Sequence, residues 1–327
     1  MIKAIEVSSL GKTYDGVVAV DGISFEVEAG DVFGFLGPNG AGKTTTIRML
    51  TGLSRPTAGS ACVLGYDITS EIIKAKKAFG VVPEQSNMYD ELSGLENLIF
   101  MGQLYGIHSH ERQPRAEELL RTFSLYERKD SKFATYSRGM KRALTIAAAL
   151  VHKPRLLFLD EPTVGLDVVA ARSLRAIIKR LKESGITVFF TTHYLEEADI
   201  LCDRIALLVK GKIVAIDTPA RLKAMAEEKP ALEVSFKKPL TKAADELGRR
   251  LLGLAVVRVD DRIRIYGGDA DVVLNAILGY ARENGTQVAS VSSLKPSLED
   301  AFVKLTGLSP LVMAAEREVD NVEREPA

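Results

Sequence analysis

The stretch GPNGAGKT, residues 37–44, restricts the fold of this chain more than any other part of its sequence. It matches the pattern G-x-x-x-x-G-K-[ST], follows the apolar run VFGFL and opens a helical pattern, which is the context of a phosphate-binding loop. Its glycines let backbone N–H groups turn inward around an anion. Lys43 can reach the β- and γ-phosphates of a nucleotide, and the Thr44 hydroxyl can bind Mg²⁺. The predicted nucleotide-binding residues of this loop are Gly37, Pro38, Asn39, Gly40, Ala41, Gly42, Lys43, Thr44 and Thr45.

Two later apolar runs, RLLFLDEP and ITVFFTTH, have the composition of strands that are buried on both faces of a parallel sheet. Asp160 ends the first run, where a carboxylate is costly unless it serves a cation, so we expect it to bind Mg²⁺. We expect the adjacent Glu161 to point to the other side of the strand and to orient or deprotonate the attacking water. His193 ends the second run and is predicted to donate to the γ-phosphate.

Composition limits the class of protein. The 327 residues suffice for two domains, and 43 Lys and Arg balance 43 Asp and Glu. A chain without basic excess is not expected to bind nucleic acid. No apolar run approaches the about 18 residues of a membrane span, so any work at a membrane needs a membrane partner.

Periodicity divides the chain near residue 228. Residues 1–228 are predicted to form an α/β domain with an antiparallel β fringe at its start and a helical subdomain over residues 86–150. Residues 229–308 have the pattern βαββαβ, which is typical of a small α+β ferredoxin-like domain. The mixed-charge tail, residues 309–327, is predicted to be mobile.

The order of motifs resembles that of an ATP-binding cassette (ABC) ATPase. After GPNGAGKT come VVPEQ as the glutamine loop, YSRGMKR as the signature, LLFLDEP, GLD as the D-loop, and His193 as the switch histidine. The resemblance covers about residues 1–220 and implies the P-loop NTPase fold, with hydrolysis of Mg²⁺-bound ATP. It places Tyr14 where the family stacks an aromatic ring on adenine. In the glutamine loop Glu84 follows the proline and Gln85 comes next, so either could approach Mg²⁺ and water; Gln85 is preferred as the catalytic and metal-approaching residue.

The signature supplies a second helix N-terminus suited to an anion. In the family this helix contacts the ATP of a second cassette, so the resemblance implies a head-to-tail dimer of two copies around two ATP molecules. Ser137 and the Gly139 backbone would then bind the partner copy's γ-phosphate, and Asp167 would communicate across the interface. Arg138 departs from the family pattern, because it replaces a glycine of the signature.

Two stretches resemble one branch of the family. PSLEDAFVKLTG near the end and the YSRGMKRAL form of the signature look like the daunorubicin-resistance type of ABC-2 exporter ATPase. This implies a separate transmembrane permease and a peripheral place at the cytoplasmic face of the membrane. The expected permease contact is on residues 86–105, with Met88, Tyr89, Leu92 and Leu95 as apolar candidates, although Leu92 and Leu95 also suit the core of the helical subdomain.

Other functions remain as alternatives to export. A soluble ABC ATPase acting on ribosomes or DNA is the main one, but a single cassette without long heptads and with balanced charge favours transport. An importer ATPase is a nearer rival, and a non-hydrolysing module is disfavoured by the intact catalytic residues. The C-terminal domain could regulate, dimerise or only stabilise the chain.

Overall fold

The computed structural model describes residues 2–86, 88–226, 231–237, 243–259, 261–294 and 296–308. The tail predicted to be mobile, residues 309–327, lies outside the described residues. The chain divides into two compact units, Met1–Pro219 and Ala220–Gly307. The division comes at the start of the helix Pro219–Ala226, whereas the sequence placed it after that helix, at residue 228.

The first unit contains two sheets and seven α-helices among its described residues. The strands are β1 (Lys3–Tyr14), β2 (Val17–Glu28), β3 (Val32–Leu36), β4 (Ala58–Val63), β5 (Tyr66–Asp67), β6 (Phe79–Val82), β7 (Leu156–Leu159), β8 (Thr187–Thr192), β9 (Arg204–Val209) and β10 (Lys212–Asp217). The helices are α1 (Lys43–Leu50), α2 (Ile72–Lys76), α3 (Gly94–Leu104), α4 (Ser109–Thr122), α5 (Arg138–Ala149), α6 (Val168–Glu183) and α7 (Leu195–Leu201).

The larger sheet has the order β10-β9-β3-β8-β7-β6, and all of its pairs are parallel except β9 with β10. Strands β3, β7 and β8 are buried at every residue, as expected for a parallel sheet covered on both faces. The smaller sheet has the order β2-β1-β4-β5 and is antiparallel throughout, which is the predicted fringe. The α/β fold class predicted from the sequence is therefore confirmed.

Alternation along the strands builds two cores. Phe33, Phe35 and Phe189 face one core, where the ring of Phe25 from β2 lies 5.6 Å from that of Phe33, measured between ring centroids. Val32, Val188 and Phe190 alternate with these rings and face the opposite core, which also contains side chains of α4, α5 and α6. Packing on both faces thus fixes the strands, and the strands in turn fix the first residues of the loops at their carboxyl ends.

The helical segment between β6 and β7 has well-defined helix starts. Ser93 caps α3 in a reciprocal capping box with Glu96, Ser137 caps α5, and Asp167 caps α6 after β7. Among the described residues no helix is both long and apolar enough to span a membrane.

The second unit starts with α8 (Pro219–Ala226) and then has the order βαββαβ predicted from the sequence. Its elements are β11 (Ala231–Phe236), α9 (Ala243–Arg250), β12 (Ala255–Val259), β13 (Arg262–Tyr266), α10 (Ala270–Glu283), β14 (Val288–Leu294) and a final α11 (Leu298–Thr306). The sheet order is β12-β13-β11-β14, with all pairs antiparallel. Val234, Leu247, Ile265 and Ile277 belong to the core formed by the sheet, α9 and α10.

Candidate functional site

The phosphate loop connects β3 to α1 and is pressed closely against neighbouring backbone. A Cβ atom on Gly37 would lie 2.2 Å from the carbonyl oxygen of Leu208, and one on Gly42 would lie 2.5 Å from that of Ala19. Gly42, directly before α1, also has a φ of 106°, which L side chains rarely adopt. These two glycines are therefore required by the space and the backbone conformation of the loop. Of the other predicted loop residues, Asn39 and Gly40 are exposed at its tip, Pro38 and Ala41 are buried, and Thr45 is half-buried.

Lys43 is the first residue of α1, and its side chain is only 5% exposed. Its Nζ donates to the carbonyl oxygens of Gly37 at 2.6 Å and Pro38 at 3.2 Å. It also lies 3.0 Å from Oε1 of Glu161, an ion pair by distance, although this oxygen accepts no well-aligned hydrogen bond. The ammonium group thus connects the loop to the carboxylate that follows β7.

Asp160 lies against the second residue of the same helix. Its Oδ1 accepts hydrogen bonds from Thr44 Oγ1 at 3.3 Å and from Thr191 Oγ1 at 2.6 Å. Burial raises the pKa of Asp160, and the two threonine hydroxyls oppose that rise.

A carboxylate and a hydroxyl oxygen are ligands that suit Mg²⁺, which usually binds one or two carboxylates together with substrate phosphates. In the described part of the chain no three His, Cys, Asp or Glu side chains gather into a metal-binding cluster. The pair of Thr44 and Asp160 therefore fits a Mg²⁺ ion that arrives with a nucleotide.

Glu161 does not point to the opposite side of the strand, as the sequence had suggested. Glu161 lies two residues beyond the end of β7 and has a φ of 44°, so strand alternation does not set its direction, and its carboxylate faces Lys43 and His193 beside the phosphate loop. His193 Nδ1 lies 3.0 Å from Glu161 Oε2. Burial alone would raise the pKa of Glu161, but the His193 hydrogen bond and the Lys43 charge outweigh burial and lower it. An ionised carboxylate only accepts, so Nδ1 carries the proton in this pair.

Thr191 is a site residue that the sequence reasoning missed. It is fully buried in β8, donates to Asp160 and accepts a hydrogen bond of 3.0 Å from the backbone N–H of Glu161. One hydroxyl therefore orients both adjacent acidic residues. The available signal was the pair of threonines at the end of the otherwise apolar run that leads to His193.

A second buried contact was also missed. Thr163 Oγ1 donates to Glu197 Oε2 at 2.6 Å, with both side chains buried. It joins the segment after Glu161 to α7, the helix after His193. Burial raises the pKa of Glu197.

The predicted signature and D-loop residues come together at another cavity, of about 340 Å³. Ser137 Oγ accepts from the N–H of Met140 at 3.2 Å, and Asp167 Oδ1 accepts from the N–H of Ala170 at 2.7 Å. A Cβ atom on Gly139 would lie 2.8 Å from Cβ of Ala170, so α5 and α6 approach closely there. Ser137, Gly139 and Asp167 all line this cavity.

The remaining predicted residues lie at the surface. Tyr14 is 41% exposed, with Nζ of Lys12 4.8 Å from its ring centroid and its hydroxyl 3.3 Å from Ser54 Oγ. Glu84 and Gln85 are both exposed on the segment that follows β6. The structure thus brings the phosphate loop, both acidic residues and His193 into one site, with Tyr14 and Gln85 on exposed segments.

Known proteins share this combination of fold and motifs. The family model for the ABC transporter matches residues 20–164. The linearmycin resistance ATP-binding protein LnrL of Bacillus subtilis (strain 168) is 38% identical over 306 residues, covering 93% of this chain and 98% of that protein. The daunorubicin/doxorubicin resistance ATP-binding protein DrrA of Streptomyces peucetius is 40% identical over 308 residues, or 93% of each chain.

A solved structure shows the same cassette fold. The dimeric post-hydrolysis state of the ATP-binding cassette MJ0796, bound to ADP and Pi, is similar to this chain with a TM-score of 0.60. The identity is 25%, and the match covers 65% of this chain and 98% of that one. The chain therefore belongs to the ATP-binding cassette family of transporter ATPases, in the branch that includes the daunorubicin-resistance type of exporter subunit.

Proposed function

We propose that this chain energises a membrane exporter of the ABC-2 type, bound to a permease at the cytoplasmic face of the membrane. ATP closes two copies head to tail, and hydrolysis separates them again. The observation that carries this proposal is the contact of Lys43 and His193 with the ionised Glu161, beside the Thr44–Asp160 pair. The soluble ABC ATPase of ribosomes or DNA is not favoured, because the relatives of this chain include resistance ATP-binding proteins and Nod factor export ATP-binding proteins.

The residues of the site divide the work of hydrolysis. Lys43 exchanges Glu161 for the β- and γ-phosphates when ATP occupies the loop, and the loop N–H groups bind the same phosphates. Glu161, ionised and held by His193, accepts the proton of the attacking water. Thr44 and Asp160 would hold a Mg²⁺ ion, which supplies charge neutralisation at the phosphates. Tyr14 stacks on the adenine, and Gln85 approaches the water from the glutamine loop.

A second copy of the chain completes the site. Ser137 and the N–H groups at the start of α5 would bind the γ-phosphate held by the other copy. Directly after Asp167, Val168 and Val169 are 80% and 76% exposed. Two adjacent exposed valines beside a predicted interface residue suit coverage by another protein surface. The dimeric state of the similar cassette supports this arrangement.

Light scattering of Glu161→Gln with and without Mg-ATP tests the dimer. Without its general base the variant retains ATP, since a base contributes about 10²–10⁴-fold to turnover. We expect a monomer without nucleotide and a dimer with Mg-ATP, and we expect Ser137→Arg in the same background to remain monomeric. A monomer that binds ATP without pairing would contradict the proposed dimer.

The proposed permease site is an apolar cavity of about 410 Å³ beside the helical segment. Leu53, Met88, Met101 and Tyr105 are among its lining residues. Leu95 packs against the helical core, as the alternative interpretation held, and Met88 and Met101 also contact that core.

Tyr89 lies next to Met88 in sequence and is 50% exposed. Asn97 holds the main chain of Tyr89 from both sides, accepting from its N–H at 2.9 Å and donating to its carbonyl at 3.0 Å. The aromatic ring is therefore presented on a fixed segment, which suits a docking surface.

Membrane fractionation of source cells tests this site. We expect Tyr89→Asp to leave the membrane fraction, because a charge in an apolar contact is strongly unfavourable. Leu252→Asp is the control, since this leucine is 86% exposed in the second unit. Unchanged melting temperatures of both variants establish that they fold. Equal membrane recovery of the two variants would argue against the proposed permease contact.

A further inference from the structure

Arg142 is a buried cation on α5, the helix that starts at the signature. It has no part in the hydrolysis proposed above. It is 8% exposed, and burial lowers the pKa of its guanidinium. Its NH1 donates to the carbonyl oxygen of Pro83 at 2.6 Å, and its NH2 donates to that of Glu161 at 3.0 Å. A buried guanidinium that binds main-chain carbonyls fixes backbone positions rather than a side-chain partner.

The backbone held by Arg142 is an unusual one. Glu161 has a φ of 44°, a region that residues other than glycine rarely occupy without support. Its N–H donates to Thr191 Oγ1, and its carbonyl accepts from Arg142. Thr191 from β8 therefore holds the N–H of Glu161 and Arg142 from α5 holds its carbonyl. The direction of the Glu161 carboxylate depends on both contacts.

Arg142 also connects three segments that are distant in sequence. Pro83 lies in the glutamine loop, Glu161 follows β7, and α5 starts at the signature. A displacement of α5 relative to the large sheet would change both of these hydrogen bonds at once.

We propose that Arg142 is a positioning residue, which holds the main chain of Glu161 in its strained conformation and couples it to the position of α5. This inference rests on the proposed role of Glu161 as the general base. It predicts that the Glu161 carboxylate is correctly placed only while α5 and the glutamine loop keep the positions that they have in this structure.

Steady-state ATP hydrolysis by Arg142→Ala tests the inference. We expect kcat to fall about 10²-fold, the loss that accompanies a misplacement of about 1 Å. The KM for Mg-ATP should stay within about twofold, because Lys43 and the phosphate loop are untouched. Arg142→Lys should have an intermediate kcat, since one ammonium group cannot reproduce the planar fork that reaches both carbonyls. It also serves as the test variant if Arg142→Ala fails to fold.

Arg115→Ala is the matched control for lost stability. Arg115 donates to the carbonyl oxygens of Leu150 at 2.9 Å and Val151 at 3.3 Å, at the other end of the same helix. Both alanine variants lose two hydrogen bonds to main-chain carbonyls, so both melting temperatures should fall. Only Arg142→Ala should lose kcat, and an equal loss in both variants would overturn the inference.

The double variant Arg142→Ala/Glu161→Gln tests whether Arg142 acts through Glu161. If it does, the double variant turns over as slowly as Glu161→Gln alone. Additive losses would overturn the inference while leaving Glu161 as the base. Normal turnover by Glu161→Gln itself would instead overturn the base assignment, and this inference with it.

Discussion

The Thr191 hydroxyl allows a sharp test of how the acidic pair is built. Thr191→Val keeps the shape of the side chain but removes its donor to Asp160 and its acceptor for the N–H of Glu161. The Asp160 carboxylate and the N–H of Glu161 are buried, and both lose the Thr191 hydroxyl as their partner. Thr187→Val is the matched control on the same strand, because Thr187 Oγ1 accepts a single hydrogen bond, of 2.9 Å, from Gly30 N.

The two variants should differ clearly in stability. A hydrogen bond to a charged group contributes about 1.5–3 kcal/mol and a neutral one about 1 kcal/mol. The loss at Thr191 is therefore about 3 kcal/mol, against about 1 kcal/mol at Thr187. In a domain of 150–250 residues each kcal/mol corresponds to about 2–4 °C in melting temperature. We expect a decrease of about 6–12 °C for Thr191→Val and about 2–4 °C for Thr187→Val, measured calorimetrically.

The pH dependence gives an independent readout. The pKa of Asp160 is already raised by burial, and Thr191 is the stronger of the two hydroxyls that oppose the rise. Removing Thr191 raises this pKa further, so the variant holds an ionised Asp160 at greater cost. Its stability relative to wild type should fall as pH rises through the pKa of Asp160 and should recover below it. Equal melting temperatures for the two valine variants, or a difference independent of pH, would refute this account.

Three further predictions concern other parts of the unit. Glu197→Gln should remove a loss of stability that wild type shows in urea unfolding as pH rises, because the pKa of Glu197 is raised and wild type loses stability as pH rises through it. The amide oxygen can still accept from Thr163. Gly42→Ala should abolish ATP binding measured calorimetrically, whereas Gly40→Ala, with no atom within 4 Å of its added Cβ, should weaken it less. Tyr14→Ala should raise the KM for ATP about tenfold at similar kcat, given about 1–3 kcal/mol for stacking on a base, and Tyr14→Phe should restore it.

Local sequence patterns predicted the fold well, because strands and helices are largely determined by residues that are close in sequence. Apolar runs marked the buried strands, and the loop between VFGFL and Lys43 had one structural context available to it. The boundary between the units was less predictable. The sequence pattern changes near Lys229, but α8, the helix before this change, already belongs almost entirely to the second unit.

The direction of Glu161 could not be predicted from its neighbours. Strand alternation places it opposite Asp160, but its positive φ reverses that expectation. This conformation is held by Thr191 and Arg142, which follow and precede it far along the chain. A signal for Arg142 existed, because it is one helical turn from Ile146 on the buried face of α5.

The two helix starts at the smaller cavity are chemically opposite. The oxygen of Ser137 accepts from the N–H of Met140 in the first turn of α5, where the positive end of that helix favours an anion. Asp167 instead presents carboxylate oxygens at the start of α6, where they offset the positive end of that helix. The cavity is therefore polarised. An anionic group is favoured at the α5 end of this cavity and disfavoured at the α6 end, beside the Asp167 carboxylate.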